Sequence, residues 1–148
     1  MQVLVTGGAG YLGSVLCYDL VKNHDVVVYD NLLYNQTSLL GLFNHKNFKF
    51  VYGDVRDYSK LGKYVNQADV IIPLAAIVGF PACEKDKNLA LVVNIQQIKD
   101  IIKNTSKSQK ILYPNTNSGY GHKTEGICTE DQKLTPISHY GVTKCDSE

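Results

Sequence analysis

The sequence of 148 residues lacks the features that mark binding to a membrane or to nucleic acid. It contains no run of about 18 apolar residues, so it offers no candidate for a membrane-spanning helix. Neither sign of charge is in excess, because 15 basic residues face 14 acidic ones and the formal net charge is +1. Arg56 is the single arginine, whereas a surface that follows a phosphate backbone normally uses several. We therefore expect neither nucleic acid nor an anionic membrane as a partner.

The four cysteines lack the spacing of a metal site. Cys17, Cys83, Cys128 and Cys145 include no C-x-x-C pair and have no histidine at ligand spacing. The pattern therefore predicts no metal centre. Their even number alone leaves two disulfides possible. Residues 1–6 carry no basic segment of the kind found in a secretory leader, which favours reduced thiols and a cytoplasmic protein.

Short apolar runs alternate with segments of helical periodicity along the chain. The strand-like runs cover residues 3–6, 25–30, 48–52, 70–74 and 110–113, and the helical segments cover about 11–23, 36–44, 58–66 and 88–104. Pro136 suits the first turn of a last helix. This alternation is typical of βαβ units and predicts an α/β fold, a doubly wound parallel sheet with helices on both faces. Because we find no linker or repeat, we predict one domain over residues 1–148.

A glycine-rich segment joins the first predicted strand to the first predicted helix. Residues 7–13 read Gly-Gly-Ala-Gly-Tyr-Leu-Gly, which contains both G-x-G-x-x-G and G-x-x-G-x-x-G. Glycines allow backbone N–H groups to approach a pyrophosphate, and the following helix N-terminus adds partial positive charge. Glycines often form only a turn, but here a strand precedes them and a helix follows. The segment therefore predicts cofactor contacts from Gly7, Gly10, Tyr11, Leu12 and Gly13.

Asp30 ends the second predicted strand, 20 residues beyond Gly10. A carboxylate at this place accepts hydrogen bonds from the adenosine ribose hydroxyls, and Asn31 follows it at the same site. It also repels a 2′-phosphate, because two like charges about 4 Å apart at an effective dielectric near 20 repel by roughly 4 kcal/mol. No Arg or Lys lies between Asn31 and His45 to offset that repulsion. The sequence thus favours NAD over NADP.

A tyrosine and a lysine near the end of the chain form a second pattern. Tyr140 and Lys144 stand at i and i+4, on one face of a helix. A free phenol loses its proton near pH 10, so a tyrosine that acts as a base near neutrality needs a favourable charge beside it. One ammonium about 4 Å away supplies roughly the 4 kcal/mol required. The same spacing also occurs by chance, with a solvated tyrosine.

Together, the glycine segment, Asp30 and the Tyr140-x-x-x-Lys144 pattern resemble the extended short-chain dehydrogenase/reductase family. Within it, the sequence is most similar to the NAD-dependent nucleotide-sugar epimerases and dehydratases, over essentially the whole chain. The resemblance implies a Rossmann fold with NAD as cofactor. It also implies further cofactor contacts: adenine contacts from Asp54 and Val55, a stretch of small residues at Leu74, Ala75 and Ala76, and the family's helical asparagine at Asn94.

The same resemblance implies roles for three residues in a reaction. Tyr140 would take a proton from a sugar hydroxyl while hydride passes to NAD. Lys144 would bind the nicotinamide ribose and assist Tyr140. Thr116 stands four residues before Tyr120, as the family's Ser/Thr does, and would hydrogen-bond the reacting oxygen. Hydride transfer needs such an aligned base and polarising donor.

The residues after Thr116 indicate which reaction is expected. Family members that act as 4,6-dehydratases carry an Asp-Glu pair there, and decarboxylases usually a glutamate, whereas this chain has Asn117 and Ser118. This favours oxidation at C4 of a nucleotide-linked sugar, with or without epimerisation. The segment 114–121 looks most like a subgroup of surface-polysaccharide biosynthesis. The base and the sugar stay open, as does the choice between epimerase and 4-oxidase.

Members of the resembled family continue for about as long again beyond this chain. We therefore expect the C-terminal part of the family fold, which grips the nucleotide-sugar substrate, to be missing, and the 148 residues alone to be inactive. The helix that bears Tyr140 usually also forms a homodimer in the full-length proteins. An alternative function is a noncatalytic NAD-binding module or sensor subunit.

Overall fold

A computed structural model describes residues 1–122 and 126–148, which alternate between strands and helices. The strands are β1 (Gln2–Thr6), β2 (Asp25–Asp30), β3 (Phe48–Tyr52), β4 (Val70–Pro73) and β5 (Lys110–Ile111). The helices are α1 (Tyr11–Leu20), α2 (Tyr58–Gln67), α3 (Phe80–Lys85), α4 (Lys87–Leu91), α5 (Gln97–Asn104) and α6 (His139–Ser147). A π-helical segment, Val92–Gln96, joins α4 to α5, and 3₁₀ turns lie at Leu40–Leu42 and Asn117–Tyr120.

The described strands form one parallel sheet in the order β3-β2-β1-β4-β5. Val3 of β1 is in register with Val26 of β2 on one side and with Val70 of β4 on the other. The strand order therefore reverses beside β1. In open parallel sheets, ligands bind at the carboxyl ends of the strands next to such a reversal. The predicted doubly wound α/β fold is confirmed.

Helices cover both faces of the sheet, each over its own apolar cluster. Leu4 of β1 packs in the cluster beneath α2, α4 and α5, whereas its neighbours Val3 and Val5 pack in the cluster beneath α1. This alternation follows from the period of two along a strand. Because both faces are buried, β1 and β2 read as nearly continuous apolar runs. No helix among the described residues combines the length and apolar character needed to cross a bilayer.

The last helix begins later than its proline indicated. α6 starts at His139, because the Ser138 hydroxyl caps it by accepting a hydrogen bond of 3.0 Å from the N–H of Gly141. The prediction that Pro136 lies in its first turn was therefore wrong. The serine cap, two residues after the proline, determines where the helix starts.

Other elements differ from the sequence-based bounds. The six-residue helix α3 was not predicted, because fewer than two turns show no clear periodicity. The first helix ends at Leu20, β5 has only two residues, and of the helix predicted over 36–44 only the 3₁₀ turn Leu40–Leu42 forms. The helix predicted over 88–104 exists, but it is interrupted by the π-helical segment around the buried Asn94.

Candidate functional site

A cleft opens at the carboxyl ends of β1, β2 and β4, where the strand order reverses. Its volume is about 660 Å³, within the usual range of small-molecule sites. The lining includes residues from both sequence motifs, namely Gly7, Gly10, Tyr11, Leu12, Gly13, Asp30, Asn31, Asp54, Val55, Leu74, Ala75, Ala76, Tyr140 and Lys144. The fold thus brings the glycine-rich loop and the Tyr140–Lys144 pair, distant in sequence, to a single cleft.

The glycine-rich loop has no room for side chains at two of its positions. Gly7 has a φ of +68°, and a Cβ on it would lie 2.5 Å from the backbone N and Cα of Ala75, in the loop after β4. A Cβ on Gly13 would lie 2.4 Å from the carbonyl oxygen of Gly8. Glycine at these positions therefore lets α1 begin directly against the loop and lets the loops after β1 and β4 touch.

Asp30 is buried at the end of β2 and holds the loops on either side of it. One carboxylate oxygen accepts the N–H of Ala9 at 2.9 Å, and the other accepts the N–H of Leu32 at 2.7 Å. A carboxylate has about four acceptor positions, so two of them stay free after these bonds. Asp30 therefore shapes the glycine-rich loop and can still accept hydrogen bonds from hydroxyl groups in the cleft.

Asp54 forms a tightly bonded pair with the single arginine. The Arg56 guanidinium donates from Nε to one oxygen at 2.9 Å and from Nη2 to the other at 2.7 Å, and the Asn31 amide adds a bond of 3.0 Å. The side-chain hydrogen bonds from Arg56 are the main reason why the pKa of Asp54 falls to about 2. Arg56 also lines the cleft, which the sequence analysis missed. Its place two residues after Asp54 was the available signal.

Tyr140 and Lys144 enter the cleft from α6, one helical turn apart. Tyr140 is half-buried, and Lys144 is only 5% exposed. Burial lowers the pKa of Lys144 to about 8. Its Nζ lies 4.0 Å from the ring centroid of Tyr113, a residue that the sequence analysis did not single out. The arrangement places the buried ammonium of Lys144 and the phenol of Tyr140 on the lining of one cleft.

Asn94 lies outside the cleft lining of the described residues, within the π-helical segment. Its Oδ1 accepts the N–H of Ile77 at 2.8 Å, and its Nδ2 donates to the Ile77 carbonyl at 3.1 Å and to the Thr143 hydroxyl at 3.0 Å. The side chain therefore joins the loop after β4 to α6. Direct contact of Asn94 with the cofactor stays a prediction.

Thr116 is also outside that lining, although the preceding Pro114 and Asn115 belong to it. Its hydroxyl caps the 3₁₀ turn Asn117–Tyr120, because Oγ1 accepts the Ser118 N–H at 3.3 Å. The same hydroxyl donates to the Ser118 side chain at 3.3 Å. Its contact with a reacting oxygen stays a prediction.

Comparison with known proteins agrees with this geometry. The sequence model of the NAD dependent epimerase/dehydratase family matches residues 3–148. The chain belongs to this family. One of its relatives is the low-salt glycan biosynthesis protein Agl12 of Haloferax volcanii. The two sequences are 33% identical, over 100% of this chain and 50% of that protein.

Solved structures extend the comparison of this epimerase/dehydratase family member. UDP-glucuronic acid 4-epimerase from Bacillus cereus, in complex with UDP-glucuronic acid and NAD, is similar with a TM-score of 0.89 and 31% identity, over 99% of this chain and 50% of that one. DesIV of Streptomyces venezuelae, a dTDP-glucose 4,6-dehydratase with NAD and TYD bound, has a TM-score of 0.91 and 26% identity, over 99% and 49%. The predicted family resemblance is confirmed, and the family is NAD dependent. The chain spans about half the length of these relatives.

Proposed function

We propose that residues 1–148 are the NAD-binding Rossmann domain of an enzyme that oxidises or epimerises C4 of a nucleotide-linked sugar. The observation that supports this most strongly is the single cleft shared by the glycine-rich loop, Asp30, Tyr140 and Lys144. Family membership and the similarity to a UDP-glucuronic acid 4-epimerase support the substrate class. The proposal leaves the base and the sugar unspecified.

The residues around the cleft fit an NAD molecule. Gly7 and Gly13, where a side chain would overlap the backbone, lie on either side of the first residue of α1. There the backbone N–H groups and the helix dipole would hold the pyrophosphate. Asp30 would accept hydrogen bonds from the adenosine ribose hydroxyls at its two free acceptor positions. Its negative charge disfavours a 2′-phosphate. When bound, NAD supplies the hydride acceptor.

The residues of α6 would handle the proton of the reaction. Tyr140 would act as a phenolate, whose negative charge the Lys144 ammonium would stabilise, and would become a neutral phenol as it takes the proton of the sugar C4 hydroxyl. Lys144 would also bind the nicotinamide ribose. Thr116 would hydrogen-bond the reacting oxygen. Asn117 and Ser118 contribute no carboxyl group after Thr116, which supports C4 chemistry over elimination of water.

In this proposal, a longer protein binds the substrate and forms a homodimer through α6. The chain spans about half the length of its relatives, so the sugar nucleotide would be held mainly by residues beyond the described cleft. The position of Thr116 outside the described cleft lining favours a second candidate function. That candidate is a noncatalytic NAD-binding module.

A single-turnover experiment separates the two functions. The test uses the longer protein that this proposal calls for, in which residues 1–148 are joined to a substrate-binding C-terminal part. This protein, in excess over NAD, is mixed with a panel of UDP- and dTDP-sugars, and the fluorescence of reduced nicotinamide is followed. C4 oxidation predicts reduced cofactor with at least one sugar, formed about 100-fold more slowly by Tyr140→Phe. Tyr34→Phe, another tyrosine of the cleft lining, is the matched control. Equal rates in wild type and Tyr140→Phe contradict the proposed base, and tight NADH binding without any turnover supports the noncatalytic module.

A further inference from the structure

Tyr113 contacts Lys144 in two ways that the proposed reaction does not yet use. It lies two residues after the end of β5 and directly precedes the cleft-lining Pro114. Its ring lies beneath the Lys144 ammonium, with 4.0 Å between Nζ and the ring centroid. Its hydroxyl donates a hydrogen bond of 3.3 Å to the backbone carbonyl of Lys144. One tyrosine thus contacts both ends of the lysine.

The Lys144 ammonium has no carboxylate beside it in the part of the chain that the structure describes. The ion pairs there join other residues, and Nζ makes no hydrogen bond to a described side chain. A buried cation without an anion is destabilised unless another group compensates for the lost water. The negative face of an aromatic ring within about 6 Å is such a group. The Tyr113 ring is therefore the compensating partner of Lys144.

A ring and a carboxylate would have different consequences for the site. A carboxylate would neutralise the ammonium and occupy its N–H donors in directional hydrogen bonds. A ring face attracts the charge but leaves the donors free for hydroxyl groups of a ligand. The ring also does not neutralise the positive charge, so that charge can still act on the phenol of Tyr140 one turn away.

We propose that Tyr113 is a positioning residue that holds Lys144 charged and directed into the cleft, with its hydrogen-bond donors free for the ligand. The inference rests on the proposed function, in which Lys144 binds the cofactor and assists Tyr140. The hydroxyl of Tyr113 fixes the backbone of the lysine, and the ring fixes its ammonium.

The titratable groups around the pair are few. Burial is the cause of the lowered pKa of Lys144. Burial is also the largest cause of the raised pKa of Tyr113. A hydrogen bond with Ser147 of α6 lowers that pKa, and smaller effects from Tyr140, Cys145 and Glu148, which follows α6, raise it. No charge from α3, α4 or the π-helical segment, within the described residues, contributes to either shift. A change in the titration of Lys144 on altering residue 113 therefore reports on the ring itself.

The test measures the reactivity of the Lys144 amine in the 148-residue chain. Brief labelling with acetic anhydride at a series of pH values, read by mass spectrometry of the Lys144 peptide, gives the pH at which half of the amine is reactive. The wild-type midpoint is expected at about pH 8. Tyr113→Phe keeps the ring and is expected to keep the midpoint, whereas Tyr113→Leu is expected to lower it by about one pH unit.

A second variant protects the test against misfolding of the leucine variant. Pentafluorophenylalanine at position 113 has nearly the shape of phenylalanine but an inverted quadrupole, so it must also lower the midpoint. Tyr52→Leu, at an exposed tyrosine of β3, is the control and is expected to change nothing. An unchanged midpoint in the fluorinated variant, or equal shifts in Tyr113→Phe and Tyr113→Leu, overturns the proposal. Since labelling needs no cofactor, failure of the wild-type chain to bind NADH would count against the proposed function alone.

Discussion

The amide of Asn94 donates a hydrogen bond of 3.0 Å to the hydroxyl of Thr143. This bond joins the π-helical segment between α4 and α5 to α6. Both residues are buried. The other contacts of the Asn94 side chain go to the backbone of Ile77, in the loop after β4. One side chain therefore fixes the helix that bears Tyr140 and Lys144 relative to the loop after β4, which lines the cleft.

We expect Asn94→Ala to lower the free energy of unfolding by about 2 kcal/mol, because it leaves the buried N–H of Ile77 without its partner. The Ile77 carbonyl and the Thr143 hydroxyl each lose one hydrogen bond as well, and keep those to Cys83 and to the Tyr140 carbonyl. Denaturant unfolding measures this loss. Asn88→Ala, at an exposed position of α4, is the control and should cost less than about 0.5 kcal/mol. Similar losses in both variants would show that the buried hydrogen bonds do not stabilise α6.

Gly7→Ala is expected to destroy the shape of the glycine-rich loop. A methyl group there adds both the strain of a positive φ and an overlap with the backbone of Ala75 at 2.5 Å. NADH binding should weaken at least about 100-fold, corresponding to roughly 3 kcal/mol. Fluorescence titration with NADH measures the effect.

Gly79→Ala separates the two causes. Gly79 also has a positive φ, of +87°, but the nearest atom to a Cβ there is Cδ of Pro81 at 4.0 Å. This variant should lose only about 1 kcal/mol of stability from backbone strain, with NADH binding largely kept. If it loses NADH binding as fully as Gly7→Ala, close approach of the two loops is not what the site requires.

The buried ammonium of Lys144 should make stability depend on pH. Its pKa is about 8 in the folded chain against an ordinary value of 10.5, so the unfolded chain binds more protons between these values and stability rises with pH there. Below about pH 8 the full cost of the buried charge is present. Lys144→Met should lack the rise, which amounts to about 3 kcal/mol.

Denaturant unfolding at pH 7 and at pH 10 measures this difference. Lys103→Met, at an exposed lysine near the end of α5, is the matched control and should keep the wild-type rise. A rise that persists undiminished in Lys144→Met would mean that another group is responsible for it.

The Arg56–Asp54 pair should contribute stability that is lost in acid. Because the pKa of Asp54 is lowered to about 2 from 3.8, its contribution is present above about pH 4 and disappears as the pH falls toward 2. Arg56→Ala should remove about 1 kcal/mol at pH 6, since the half-exposed guanidinium is partly screened by solvent. Lys60→Ala, which breaks a surface pair, should have almost no effect. Equal effects of the two variants in thermal unfolding would contradict this account.

Local sequence patterns predicted the fold and most of the cleft lining. The apolar run of β1, the glycine-rich loop and Asp30 are close in sequence or separated by a standard βαβ unit, so their spatial relation follows from the fold class. Tyr140 and Lys144 were predicted from their helical spacing together with the family resemblance. These residues all lie at the cleft.

Contacts between distant segments could not be predicted in the same way. The ring of Tyr113 meets Lys144 across 31 positions, and Asn94 meets Thr143 across 49, with no local pattern that signals either contact. The π-helical segment contains the buried Asn94, whose tertiary hydrogen bonds periodicity cannot reveal. The start of α6 was predicted wrongly from Pro136, because a proline that suits a first turn determines a helix start less strongly than the serine cap that follows it.

The central claim, that this cleft binds NAD through Asp30, is tested most directly by titrating the chain with NADH and NADPH. Nicotinamide fluorescence is followed for the wild type and for Asp30→Asn, which keeps the shape of the side chain but removes its charge. We predict micromolar NADH binding by the wild type, NADPH at least about 100-fold weaker, and a much smaller difference between the two in Asp30→Asn. A folded chain that binds neither nucleotide, or binds both equally well, would contradict the account.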